Sequence, residues 1–182
     1  MDTTMTLAAI ALVVILVASL AAFVYFRKRR TGKLRSQFGG DEYERAVKEG
    51  GNRRHAEAEL DKRAARVESF EVQALAPADR TRFEDSWSRV QARFVDGPGG
   101  AVAEADQLLG DVMSARGYPV GDFKQRADDI SVDHPSVVAN YRSAHEIALQ
   151  QSKGQASTED LRQAMIHYRT LFEELVGELD AA

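Results

Sequence analysis

The chain has 182 residues, 44% of them hydrophobic, and carries a formal net charge of −4. It contains no cysteine, which excludes a disulfide framework, a thiolate zinc site and a cysteine nucleophile. The charge is unevenly spread: residues 1–35 are net +5, whereas residues 77–182 hold 18 acids against 11 bases, a balance that disfavours nucleic acid as a partner of the body.

Residues 1–4 form a short N-terminal tail with one acid, Asp2. Met5 to Phe26 reads MTLAAIALVVILVASLAAFVYF, without charge, proline or glycine over 22 residues. As a helix it extends about 33 Å, enough for the ~30 Å hydrocarbon core of a bilayer. Tyr25 and Phe26 close it with rings suited to the headgroup layer, and Arg27, Lys28, Arg29 and Arg30 follow at once. These six residues are the expected membrane interface. The positive-inside rule then sets the N-terminus outside and residues 27–182 in the cytoplasm, at the inner membrane. The competing reading is a cleaved signal peptide ending near Ser19-Leu20-Ala21, with a secreted or periplasmic helical domain left behind. Such a peptide begins with a positive region, and this one begins with Asp2. Ala18 and Ala22 make a small-xxx-small pair compatible with homo-oligomerisation. The basic residues of 27–40 serve as a stop-transfer flank and attract anionic lipid headgroups.

Residues 41–76 are dense in interleaved charge. Helices are predicted near 41–49 and 53–69, broken at Gly50-Gly51. Ala56, Leu60, Ala64 and Val67 make a thin stripe, too weak for a sustained coiled coil. The expectation is a solvated helical stalk, with Glu59 and Arg63 pairing along one helix.

Residues 77–182 carry four strong helical patterns and one short one. Phe83, Trp87, Val90 and Phe94 share a face, with Pro77 in the first turn. Asp96-Gly97-Pro98-Gly99-Gly100 breaks the chain. Val102, Ala105, Leu108, Leu109, Val112 and Met113 form the next stripe, ended by Gly117 and Pro119. DFKQRADDI, 122–130, groups Phe123, Ala127 and Ile130. Asp133 is the expected N-cap of a helix whose stripe is Val137, Val138, Tyr141, Ala144, His145, Ala148 and Leu149. The last helix opens with Ser157 and Asp160 in a capping-box arrangement and runs from Leu161 to Val176. No alternating β-branched run occurs. The expected fold is all-α: a transmembrane helix, a charged stalk and a small helical bundle.

The stretches LRSQFGGDEY, VQARFVDGPGGAVAEADQLLGDVMSARGYPV, SVDHPSVVANYRSAH and DLRQAMIHYRTLFEELV resemble a recurrent family of uncharacterised bacterial single-pass membrane proteins with a cytoplasmic helical domain. The similarity runs over residues 34–177. It implies a genuine folded domain, and no activity or site.

Candidate chemistry is sparse. His134, His145 and His167, with Asp128, Asp129 and Asp133 nearby, are the set from which a metal-binding or enzymatic site would be assembled. Neither HExxH nor the Glu-x-x-His pair of di-iron bundles is present. His134 is expected to reach solvent beside the Asp133 cap. His145 should pack against Tyr141, and His167 should flank the last stripe. The GPGG stretch lacks the Lys-Ser/Thr and the preceding strand of a phosphate loop, and no G-x-S-x-G occurs. No catalytic residue, metal ligand or cofactor is assigned. The expected function is a membrane-anchored cytoplasmic module that binds another protein.

Overall fold

The computed structural model of the chain describes residues 3–177, and the side chains of all of these except 3–6, 8–11 and 13. Among the described residues there are eight α-helices and no strand. They are α1 (Thr3–Gln37), α2 (Gly39–Gly50), α3 (Arg53–Glu68), α4 (Pro77–Phe94), α5 (Pro98–Ala115), α6 (Phe123–Asp133), α7 (Val138–Ser152) and α8 (Thr158–Gly177).

α1 runs without a break from the apolar segment through the basic one. Its described apolar side chains from Val14 to Phe26 all face solvent, whereas Leu34 and the following Phe38 are fully buried. Among the described residues no helix is long and apolar enough to cross a membrane. Val14–Phe26 alone extends about 20 Å as a helix, short of a ~30 Å core. The remainder of the expected span over residues 5–26 lies largely on side chains outside those described, as do Met1 and Asp2 of the expected tail.

Two cores follow. The larger joins α4, α5, α6, α7 and α8, with Phe83, Trp87, Leu109, Ile130, Tyr141, Tyr168 and Leu171 among its buried side chains. Every residue of the predicted α8 stripe is buried, and so are the predicted positions of α5. Trp87 stacks on Phe172, with ring centroids 4.8 Å apart and an interplanar angle of 16°. The predicted box at α8 forms: the Ser157 amide donates to Asp160 Oδ2 at 2.8 Å and the Asp160 amide to Ser157 Oγ at 3.2 Å.

The smaller core lies where a solvated stalk was expected. Leu34, Phe38, Tyr43, Ala46, Ala56, Leu60 and Val67 are buried together with Val132 of α6. The thin stripe on α3 is therefore a packing face, closed by the end of α1, by α2 and by α6. Glu42 and Glu57, expected in water, are buried as well. The predicted Glu59–Arg63 pair does not form: Glu59 bonds Lys62, and Arg63 turns inward to Glu42 and Asp128. Ala56 and Leu60 recur every helical turn, so they can seat a partner helix even where the composition is highly charged.

Three further expectations change. Pro98, Gly99 and Gly100 open α5 instead of forming a loop, because proline at the first helical position needs no amide donor. Asp133 ends α6 and does not cap α7. Its carboxylate accepts from the Tyr118 hydroxyl at 2.7 Å, and the 134–137 turn separates it from Val138. Asp122 caps α6 itself, accepting from the Gln125 amide at 2.8 Å. Leu149, assigned to the α7 stripe, is 49% exposed, since the stripe drifts off the core in the helix's last turns.

The link from α3 to α4 crosses the end of α5. Gln73 donates its amide to the Arg116 carbonyl at 2.9 Å, and Phe70 meets Tyr118 edge-on. Gly117 adopts φ +94 there, and a Cβ at that position would collide with the Glu71 carbonyl. Gly117→Ala should therefore lower the melting temperature, through both the left-handed backbone and the clash. Trp87→Ala should cost about 3–5 kcal/mol by chemical denaturation, because it deletes a buried ring and its stacking partner's contact. A near-zero cost would mean that the Trp87–Phe172 stack does not hold the bundle.

Candidate functional site

The best-formed polar site lies where the two cores meet. Glu42, in the first turn of α2, has a side chain only 3% exposed. It accepts from Arg45 Nη2 at 2.6 Å and Nε at 2.8 Å, from Arg63 Nη1 at 3.0 Å and from Arg142 Nη2 at 3.0 Å. Asp128 on α6 faces the same guanidinium groups, 3.1 Å from Arg63 and 3.4 Å from Arg142, and binds Lys124 at 2.9 Å. Two carboxylates thus hold cations from α2, α3, α6 and α7. Beside them Asp129, fully buried, is forked by Arg66 of α3 and bonded by Gln125 at 3.1 Å.

These acids and bases are far apart in sequence; Glu42 and Arg142 are separated by 100 positions. Burial opposes the charge on Asp128, but the Lys124 ammonium and the Arg63 and Arg142 guanidinium groups outweigh it. They hold the carboxyl below its ordinary range. Burial also lowers the pKa of Arg142, against the pull of Glu42. The site is a brace: it compensates both buried carboxylates and fixes α2 and α3 on α6 and α7.

A second cluster lies inside the bundle. Asp106 of α5 accepts from Tyr168 at 3.1 Å and from Arg126 at 3.3 Å, and lies 3.7 Å from His145 Nδ1. Burial raises its pKa, and His145, Arg126 and Tyr168 together lower it further, so it too stays below the usual carboxylate range. Burial and the neighbouring Asp106 push the phenols of Tyr141 and Tyr168 well up, so both remain protonated.

The three histidines do not share a site. His134 is 1% exposed at the end of α6, its Nδ1 3.4 Å from Glu174. The expectation that it reaches solvent is wrong, because the turn after α6 folds its ring beneath α8. His145 stacks on Phe123, centroids 3.5 Å apart and rings nearly parallel, and is only half-buried. Tyr141 also contacts Phe123, so that ring, rather than direct packing on Tyr141, is the main seat of His145. His167 bonds Asn140 across α7 and α8 at 3.0 Å. Among the described residues no group of three or more His, Cys, Asp or Glu side chains is arranged to hold a metal ion.

At the expected membrane interface, Tyr25 and Phe26 meet edge-on with centroids 5.8 Å apart, and both are exposed. Arg27, Lys28 and Arg29 are exposed, and Arg30 pairs with Asp61 of α3. No family model, no curated protein and no solved structure matches the chain.

Glu42→Gln should destabilise the protein by about 3–5 kcal/mol, since it leaves three partly buried guanidinium groups with one fewer counter-charge. A double-mutant cycle with Arg63 measures the coupling. Asp128, with its folded-state pKa depressed, contributes stability that is complete above the unfolded value near ~3.9. That contribution is lost as pH falls through the lower folded value, because the unfolded state binds the proton first. Stability should hold from neutral pH to about 5 and fall below it. Asp128→Asn should remove part of that fall in an acid titration followed by circular dichroism.

Proposed function

We propose that the chain is a single-pass inner-membrane protein. Residues 5–26 lie in the bilayer, the N-terminus faces out, and the helical body acts in the cytoplasm as a protein-interaction module. The observation that carries the anchor is the exposure of α1. From Val14 to Phe26 its apolar side chains are at least half exposed on all faces, with Leu7 and Leu12 exposed before them. A helix that is apolar all round requires an apolar surrounding, and lipid supplies one. The uncharged run in the sequence continues to Met5, and the bases after Phe26 set the orientation.

The module reading is supported by how the polar groups are used. Glu42, Asp128, Asp129 and Asp106 are engaged with internal cations, and the histidines have separate neighbours. The groove between α4 and α8 is open. Its two parts, about 420 and 190 Å³, meet at Gln91 and Arg169, with Trp87 and Phe172 in one and Phe94, Met165 and Ile166 in the other. Ile166 is 44% exposed on its rim. This is the face assigned to the partner.

Because the chain has no cysteine, one introduced at Ser88 reports topology alone. It should resist membrane-impermeant thiol reagents in intact cells and react after permeabilisation. Labelling in intact cells would reverse the orientation. Affinity purification from solubilised membranes should recover a stoichiometric partner with the native chain and lose it with Ile166→Asp, at an unchanged melting temperature. Retention by the variant would remove the groove from the proposal.

A further inference from the structure

The basic run after Phe26 is one contributor to a larger charged surface that only the fold assembles. α2 turns back along α1: Arg35 and Glu44 pair at 3.1 Å, and Tyr43 and Thr31 both donate to Glu57, at 2.8 and 2.7 Å. Gly51, with φ +69, reverses the chain again, so α3 runs alongside α1 in the same direction. Its early residue Glu57 meets Thr31, and its later residues Ala64, Val67 and Glu68 line one cleft with Lys33, Ser36 and Gln37. Arg53 and Arg54 lie about one turn before Glu57, as Arg27 lies about one turn before Thr31, ~5 Å in each case. The α2–α3 turn therefore returns to the level at which the apolar part of α1 ends.

The charge at that level is one-sided. Arg27, Lys28, Arg29, Lys48, Arg53 and Arg54 are all exposed, and among the described residues none makes an ion pair. Of the nearby acids, Glu49 is paired with Arg45 and Asp61 with Arg30, and Glu57 is buried, bonded by two hydroxyls.

We infer that the α2–α3 turn, through Lys48, Arg53 and Arg54, is a second membrane contact that docks on anionic lipid headgroups beside the α1 basic run. The inference rests on the proposed anchor. Anionic lipid is the partner these residues fit because the patch surrounds the point where an exposed apolar helix emerges. Three bases from a distant stretch of sequence are added to the flank, on a rigid element and not on a tether. The brace at Glu42 and Asp128 makes this contact orient the bundle as well, since α3 is fixed to α6.

The test uses the full chain reconstituted in vesicles, either neutral phosphatidylcholine or phosphatidylcholine with phosphatidylglycerol. A fluorophore is placed on His55→Cys, in the first turn of α3, or on Glu68→Cys, about 20 Å away at its other end. Headgroup-nitroxide lipid should quench the first and spare the second in anionic vesicles, and quenching of the first should weaken with salt and in neutral vesicles. Arg53→Gln and Arg54→Gln should each lower the docked-to-undocked ratio about fivefold. Equal quenching at both ends, or no response to the two substitutions while the chain co-floats with the vesicles, overturns the contact and leaves the anchor standing. Failure to co-float overturns both. Capture of the charges by nucleic acid in place of lipid would leave the lipid-borne quencher silent and also overturn the contact.

Discussion

The carboxylate of Glu42 is the point on which the arrangement of this protein depends. It is almost completely withdrawn from water and is held by guanidinium groups from three helices. Taking such a charge out of water is unfavourable by several kcal/mol, and only a full set of donors in good geometry offsets it. The converse is specificity. A hydrophobic contact between α2–α3 and α6–α7 would tolerate sliding, whereas four cations facing two carboxylates admit few alternative registers. The ion pairs therefore add register to a joint that Val132 and Phe70 also close with apolar contacts.

That division assigns roles to the helices. α6 is the wall that serves both sides: Ala127 and Ile130 face the bundle, Val132 faces the smaller core, and Asp128 and Asp129 carry the joint. Phe70 packs against both cores from the link above. The Arg116 side chain reaches the Leu175 carbonyl at 3.0 Å, tying the end of α8 to the same corner that Gly117 turns. Position in the fold, more than chemical reactivity, explains why these polar residues are buried.

Periodicity made the bundle legible in the sequence. The α8 stripe, the α5 stripe and the Phe83–Trp87–Val90 face are where their spacing requires, because buried apolar residues on a helix must recur every three or four positions. The break at Gly50-Gly51 was equally plain. The second core was not, because its α3 stripe is built from two alanines, one leucine and one valine within a run of charge, a pattern shared by solvated helices. Nor was the brace legible. Nothing local distinguishes Glu42 or Arg63 from the exposed charges around them, and their partners lie up to 100 residues away. His134 failed for a related reason: its burial depends on how the turn after α6 meets α8, which no helical spacing encodes.

The uninterrupted course of α1 has a mechanical consequence. Its apolar stretch and the buried Leu34 belong to one helix, so the azimuth of the body about that axis is set by residue count alone. Each residue added or removed between Phe26 and Arg30, before the first contact of α1 with α3, would turn everything beyond it by about 100° and shift it by ~1.5 Å. A flexible hinge would make such indels silent. Here the segment behaves as a threaded shaft, and its length is a phase setting that selects which side of the bundle points in a given direction.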